Sequence, residues 1–249
     1  MERSIVVDER RTHRRAGQRA STLKRLIVAW LFGVGGLAVV AFQSSVPVES
    51  LLLDASTVGG GRWYGGLVTS LGVFGWTVAA VSLLGTAHAS RLSGRTGAGD
   101  AFGSFGLIVL LLLFDDLFQL HSAVVPAVVG GPKSGLMAVE FVVVAAWTIR
   151  YRGEISRTRW EMLVAAAVGF GWSLGFDRFP LASDRWALIV EDGGKMLGVL
   201  ALATWAVSTA MDLIGSLVAV DGTQREGTAS TSGRIRRREP HGGHQDVVA

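Results

Sequence analysis

Six apolar runs, each about as long as the hydrocarbon core of a bilayer is thick, take up most of this sequence. They fall at roughly 24–43, 65–87, 102–124, 134–150, 160–178 and 186–213. A spanning helix needs roughly 20 apolar residues to cross ~30 Å of hydrocarbon. In lipid the backbone N–H and C=O groups of a segment must satisfy one another, so runs of this kind fold as helices. The expected fold is all-α, a polytopic membrane bundle of six transmembrane helices. Composition agrees, with 49% hydrophobic and 18% charged residues. The charges concentrate in residues 1–25 and 221–249, which separates a basic arm (1–23) and a Gly/Ser/Thr-rich tail (215–249) from a transmembrane domain (24–214). Both flanks read as mobile. The first run follows a long basic stretch and lacks a clear small-x-small cleavage site, so it reads as an uncleaved span.

Charge also sets an orientation. Alternate connections carry Arg10, Arg11, Arg14, Arg15, Arg19, Lys24 and Arg25, then Arg91 and Arg95, then Arg150, Arg152, Arg157 and Arg159. The connections between them carry only Arg62, Lys133, Arg178 and Arg185. Positive residues accumulate on the cytoplasmic side, so both termini are expected there, in a multi-pass protein of the cell membrane. The net charge of +4 is explained by this bias. No nucleic-acid recognition motif accompanies it, and membrane lipids are the expected neighbours. Trp63, Trp160 and Trp186 fall near the predicted interfaces and read as anchors. Cysteine is absent, which excludes disulfides, thiolate metal sites and a cysteine nucleophile. No phosphate loop, nucleophile elbow, zinc-protease motif or dinucleotide fingerprint is present. His241 and His244 in the tail are weak evidence for metal.

Ionisable residues inside spans are costly and by default functional. Asp115 and Asp116 lie in the outer third of the third run and His121 near its exit; Glu140 lies about two turns into the fourth. Ser173 and Asp177 end the fifth run, and Glu191, Asp192 and Lys195 open the sixth. All of them meet one layer, toward the non-cytoplasmic face. At about 100° per residue, Asp115, Asp116 and Gln119 fall at about 0°, 100° and 40°, on one helix face. Glu191, Asp192 and Lys195 repeat those offsets, so the two stripes are expected to face each other. His121 fits less well, about 120° from Asp115 on an ideal helix, and joins the cluster only if the helix distorts toward Pro126.

Five acids against one lysine cannot all stay ionised close together in low dielectric. Some are protonated, or a cation sits among Asp115, Asp116, Glu140, Glu191 and Asp192. Carboxylates with one imidazole suit calcium, magnesium, manganese or zinc, and which of these, if any, is left open. Lys195 pairs with Glu191 one helical turn away or steers an anion. Glycines inside the runs are expected to let helices approach closely, with Gly171-x-x-x-Gly175 in that role. Gly193 and Gly194, beside the acids, could admit another backbone.

The stretches FDDLFQLH and IVEDGGKMLG together resemble an uncharacterised group of bacterial multi-pass proteins. Members carry an Asp-Asp/Glu-x4-His motif on one helix and a Glu-Glu/Asp-x2-Lys/Glu-x2-Gly motif on the last. Ser122 departs from that pattern, where a glutamate is expected. The resemblance implies a site and no particular reaction. Glu191-Asp192-Gly193-Gly194-Lys195 also approaches the E-E-x-x-K motif of membrane-embedded glutamate-type proteases, whose histidine motifs on later helices are missing here. Three function classes follow. The first is a cation-binding, metal-dependent enzyme on a lipid or another small or membrane-held ligand, with Asp116, His121 and Glu191 catalytic. The second is a proton- or cation-coupled transporter, and the third a scaffold with a structural polar network.

Overall fold

A computed structural model describes residues 2–52, 66–129, 134–178 and 185–235. Trp63, Arg62, Lys133, His241 and His244 lie outside the described residues. The elements are α1 (Glu2–Phe42), α2 (Val48–Leu52), α3 (Leu67–Leu92), α4 (Thr96–Phe118), a π-helical turn (Leu120–Val124), α5 (Val125–Val129), α6 (Ser134–Arg150), α7 (Arg152–Ile155), α8 (Trp160–Arg178) and α9 (Arg185–Ile235). The described residues contain no strand. Residues 1–210 form one compact unit and 211–249 a second. The core and all the candidate site residues belong to the first. Proline is absent from 2–42 and from 185–235, so nothing in either stretch removes a donor from the helical hydrogen-bond ladder.

Each of the six apolar runs is helical over its described residues, but the helix of the second run continues to Leu92, that of the third starts at Thr96 and breaks after Phe118, and those of the first and last extend beyond their runs. Among the described residues, four helices are long and apolar enough to cross a membrane: Arg19–Phe42, Leu67–Leu92, Thr96–Phe118 and Trp186–Val218. Trp160–Phe176 is apolar but shorter, and α6 has 17 residues with Glu140 among them. Large apolar side chains point outward along these helices, including Leu31, Phe32, Phe74, Val81, Leu107 and Phe141. A water-facing surface would not retain so many; a lipid-facing one requires them. The protein is a helical membrane protein.

The core follows from helical spacing. Trp76, Ala79, Ala80, Leu83 and Ala87 form one stripe of α3, and Phe102, Phe105, Val109 and Leu113 the facing stripe of α4. The two helices form a hairpin whose turn is a Schellman motif: Gly94 (φ 75°) donates to the Arg91 carbonyl, and Arg95 to that of Ser90. A left-handed residue is needed there, and glycine takes that conformation without a Cβ clash. Trp147 of α6 stacks on Phe105 with ring centroids 3.9 Å apart and donates to the Ala101 carbonyl. Trp205 of α9 completes this layer by packing edge-on to Phe105.

Gly169 of α8 marks a close helix crossing. A Cβ there would lie 2.6 Å from the Gly198 nitrogen and 2.8 Å from the Gly194 oxygen, both backbone atoms of α9. The expected pair, Gly171 and Gly175, meets nothing within 4 Å. The small-xxx-small motif that packs within the chain is therefore Gly194-x-x-x-Gly198, because Gly169 presents its backbone to that face and the 171/175 face points away.

Candidate functional site

The cluster is assembled by a break in helix geometry. α4 ends at Phe118, and Gln119 adopts a left-handed conformation (φ 51°). The chain then rewinds through the π turn, in which the Val124 N–H reaches the Gln119 carbonyl. A left-handed residue costs about 1–2 kcal/mol outside glycine, so local contacts must hold it. Asp115 supplies two. Its Oδ1 accepts the His121 backbone N–H at 2.8 Å, and its Oδ2 lies 2.5 Å from His121 Nδ1. The distortion brings His121 back over the face from which ideal helical geometry would have carried it away.

Asp116 faces the opposite way. It is 9% exposed, its Oδ2 accepts the indole N–H of Trp76 at 3.1 Å, and its Oδ1 is ion-paired with Lys195. Removing a carboxylate from water costs several kcal/mol unless a counter-charge and hydrogen bonds replace the hydration, and these two partners do so. Trp76 is held by a stack on Phe170 of α8, with centroids 5.3 Å apart and planes 12° off parallel. Phe170 and Lys195 each follow a glycine of the close crossing, Gly169 and Gly194. Four helices thus meet in one relay, from Phe170 through Trp76 and Asp116 to Lys195.

The expected stripes on α4 and α9 are joined by this ion pair, so Lys195 is drawn across to Asp116. Glu191 and Asp192 are half-buried on α9 one turn or less before it. Glu140 is half-buried on α6, within electrostatic range of Asp115, His121 and Asp116. The Asp177 side chain lies outside the described residues. Among the described residues, no three His, Asp or Glu side chains come together as a metal ion would require. Each oxygen of Asp115 and Asp116 already has a protein partner, and the imidazole Nδ1 is engaged as well.

Trp76 was not foreseen from sequence. The signal was present in the hairpin, because residues about equally far on either side of the Ser93–Arg95 turn face each other, and Trp76 and Asp116 are such a pair. No curated protein and no solved structure matches the chain. A family model described as a domain of unknown function, DUF8692, matches residues 25–209, a stretch that holds every member of the cluster, and the chain belongs to that family.

Proposed function

We propose that this is a six-crossing protein of the cell membrane, with both termini cytoplasmic, whose polar cluster is an acid–base site for a lipid or another membrane-held substrate at the non-cytoplasmic face. One observation carries the reading: Asp115 grips His121 by both its backbone N–H and Nδ1. A buried carboxylate on Nδ1 fixes the tautomer and leaves Nε2 to take or give a proton. That nitrogen has no hydrogen bond among the described residues, and the ring is 27% exposed. Lys195, paired to Asp116, supplies positive charge nearby, where an anionic headgroup or a developing oxyanion would benefit.

The alternative is proton- or cation-coupled transport. It draws on Glu140, a second carboxylate in range of the same imidazole. A divalent ion bound by Asp115, Asp116, Glu140, Glu191 and Asp192 would have to displace Lys195 or His121 from the two aspartates.

The test is incubation of the purified protein in nanodiscs holding a mixed phospholipid pool, with products followed by mass spectrometry. Turnover by the native chain that falls about 100-fold or more in His121→Gln and Asp115→Asn is the expected result. Full turnover in both variants would overturn the acid–base assignment. Stoichiometric metal in the purified protein, lost in Asp116→Asn, would favour the cation site instead.

A further inference from the structure

A second site lies away from the acidic cluster, where α1 and α8 enter the apolar layer. A cavity of about 290 Å³ opens there, and its described lining includes Arg19, Arg157, Arg159, Thr22, Thr158 and Trp160, with the carboxylate of Glu161. Arg157 is ion-paired with Glu154 at 2.9 Å and Arg19 with Glu161, so among the described residues three guanidiniums meet two carboxylates and the balance stays positive. Arg159 is only 7% exposed, and its Nη1 donates to Ser21 Oγ at 2.7 Å and to Thr22 Oγ1 at 2.9 Å. A guanidinium so placed has its fork fixed before any ligand arrives, which lowers the ordering cost of binding. Thr158 is held by the Trp205 indole N–H at 3.0 Å. Arg19 and Glu161, by contrast, are loosely paired at 3.8 Å on the exposed rim.

Depth and size narrow the ligand. Arg19 begins the first membrane-length apolar segment and Trp160 begins α8, so the cavity sits at the boundary between hydrocarbon and headgroups. Lipid phosphates occupy that layer, and basic pockets between helix ends bind them. The volume falls at the lower edge of the usual ligand range of about 300–1,000 Å³, which suits a headgroup and not acyl chains. Deeper on the same helices, Leu23 and Ile27 of α1 and Val164 and Val168 of α8 are exposed and apolar, a surface on which chains can lie.

We propose that this pocket binds a phosphate group, carried by an anionic phospholipid and gripped by Arg159 with Arg157 and Arg19. The site is separate from the acid–base cluster and stands or falls without it. The test is native mass spectrometry of the detergent-purified full chain with phosphatidylglycerol, phosphatidylcholine or inorganic phosphate. Phosphatidylglycerol should be retained about tenfold more tightly than phosphatidylcholine, a discrimination of the size one charge-assisted phosphate contact provides. Arg159→Lys keeps the charge and loses the fork, and should reduce retention about tenfold. Arg157→Gln changes a side chain that is 74% exposed without threatening the fold, and should reduce it about threefold. Equal retention of the two lipids, or native-like retention in both variants, would overturn the site. Inorganic phosphate binding as tightly as phosphatidylglycerol would overturn the lipid as the source of the phosphate.

Discussion

Asp115 and Asp116 are neighbours with opposite employment. Asp115 is turned along its own chain to hold His121, whereas Asp116 is turned across the bundle to Trp76 and Lys195. That division predicts different losses. Asp116→Asn takes from Lys195 the carboxylate that reaches it from α4, and Lys195→Met leaves the Trp76 indole on Asp116. Each should destabilise by about 1–3 kcal/mol, below the value for a fully buried pair because Lys195 is 38% exposed. The double variant should cost less than the two together, with a coupling of about 1–2 kcal/mol. Unfolding of all three in mixed micelles measures it, and strict additivity would show that the pair is not energetically coupled. Trp76→Phe keeps the stack on Phe170 and removes the donor, so about 1–2 kcal/mol should be lost through the hydrogen bond alone; an unchanged midpoint would assign Trp76 to packing only. At this scale the acids and Lys195 were legible, because charge inside an apolar run stands out in one dimension. The assignment of one partner to each carboxylate was not, since it depends on χ angles and a helix break that spacing cannot encode.

At the scale of elements, hydropathy located the helices and misjudged one contact. Gly171-x-x-x-Gly175 and Gly194-x-x-x-Gly198 have the same pattern, and only the facing helix decides which of them packs. Pro126 marked the neighbourhood of the break after α4, but the left-handed residue is Gln119, with the π turn between them. Sequence periodicity assumes regular turns and has no means of placing such a residue. The glycine crossing yields a paired prediction. Gly169→Ala forces a methyl to within 3 Å of α9 backbone, so α8 and α9 must separate, at a cost of about 1–3 kcal/mol. Because Lys195 follows Gly194, the same change should loosen its ion pair with Asp116. Gly171→Ala meets open space and should be neutral, or stabilising by up to about 1 kcal/mol through helix propensity. Unfolding midpoints of the two variants decide the matter, and equal destabilisation would mean that the 171/175 face also packs.

For the whole molecule, the charge bias and the contacts within the first unit bear on the same question. Arg159 bonds Ser21 and Thr22 near the start of the first apolar segment, and a Cβ on Gly97, just past the α3–α4 turn, would lie 3.9 Å from Glu154 Oε1. The stretch from Arg152 to Trp160 therefore shares an end of the bundle with the start of that segment and with the α3–α4 turn, which supports α6 as a crossing helix although it has only 17 residues. Its short length is compatible with a local thinning of the bilayer or a small mismatch, each costing fractions of a kcal/mol per Å. The number of crossings is directly measurable because the chain has no cysteine, so every introduced thiol reports alone. In the six-crossing arrangement, Ser56→Cys and Gly135→Cys should react with a membrane-impermeant maleimide added to intact cells. Ser93→Cys and Ser156→Cys should react only after the membrane is opened. Gly135 is exposed with no side chain against it, so its reactivity reads sidedness and not packing. Ser156→Cys labelled from the same side as Gly135→Cys would mean that α6 does not cross. The acidic cluster and the arginine pocket would then no longer be assignable to opposite faces of the membrane.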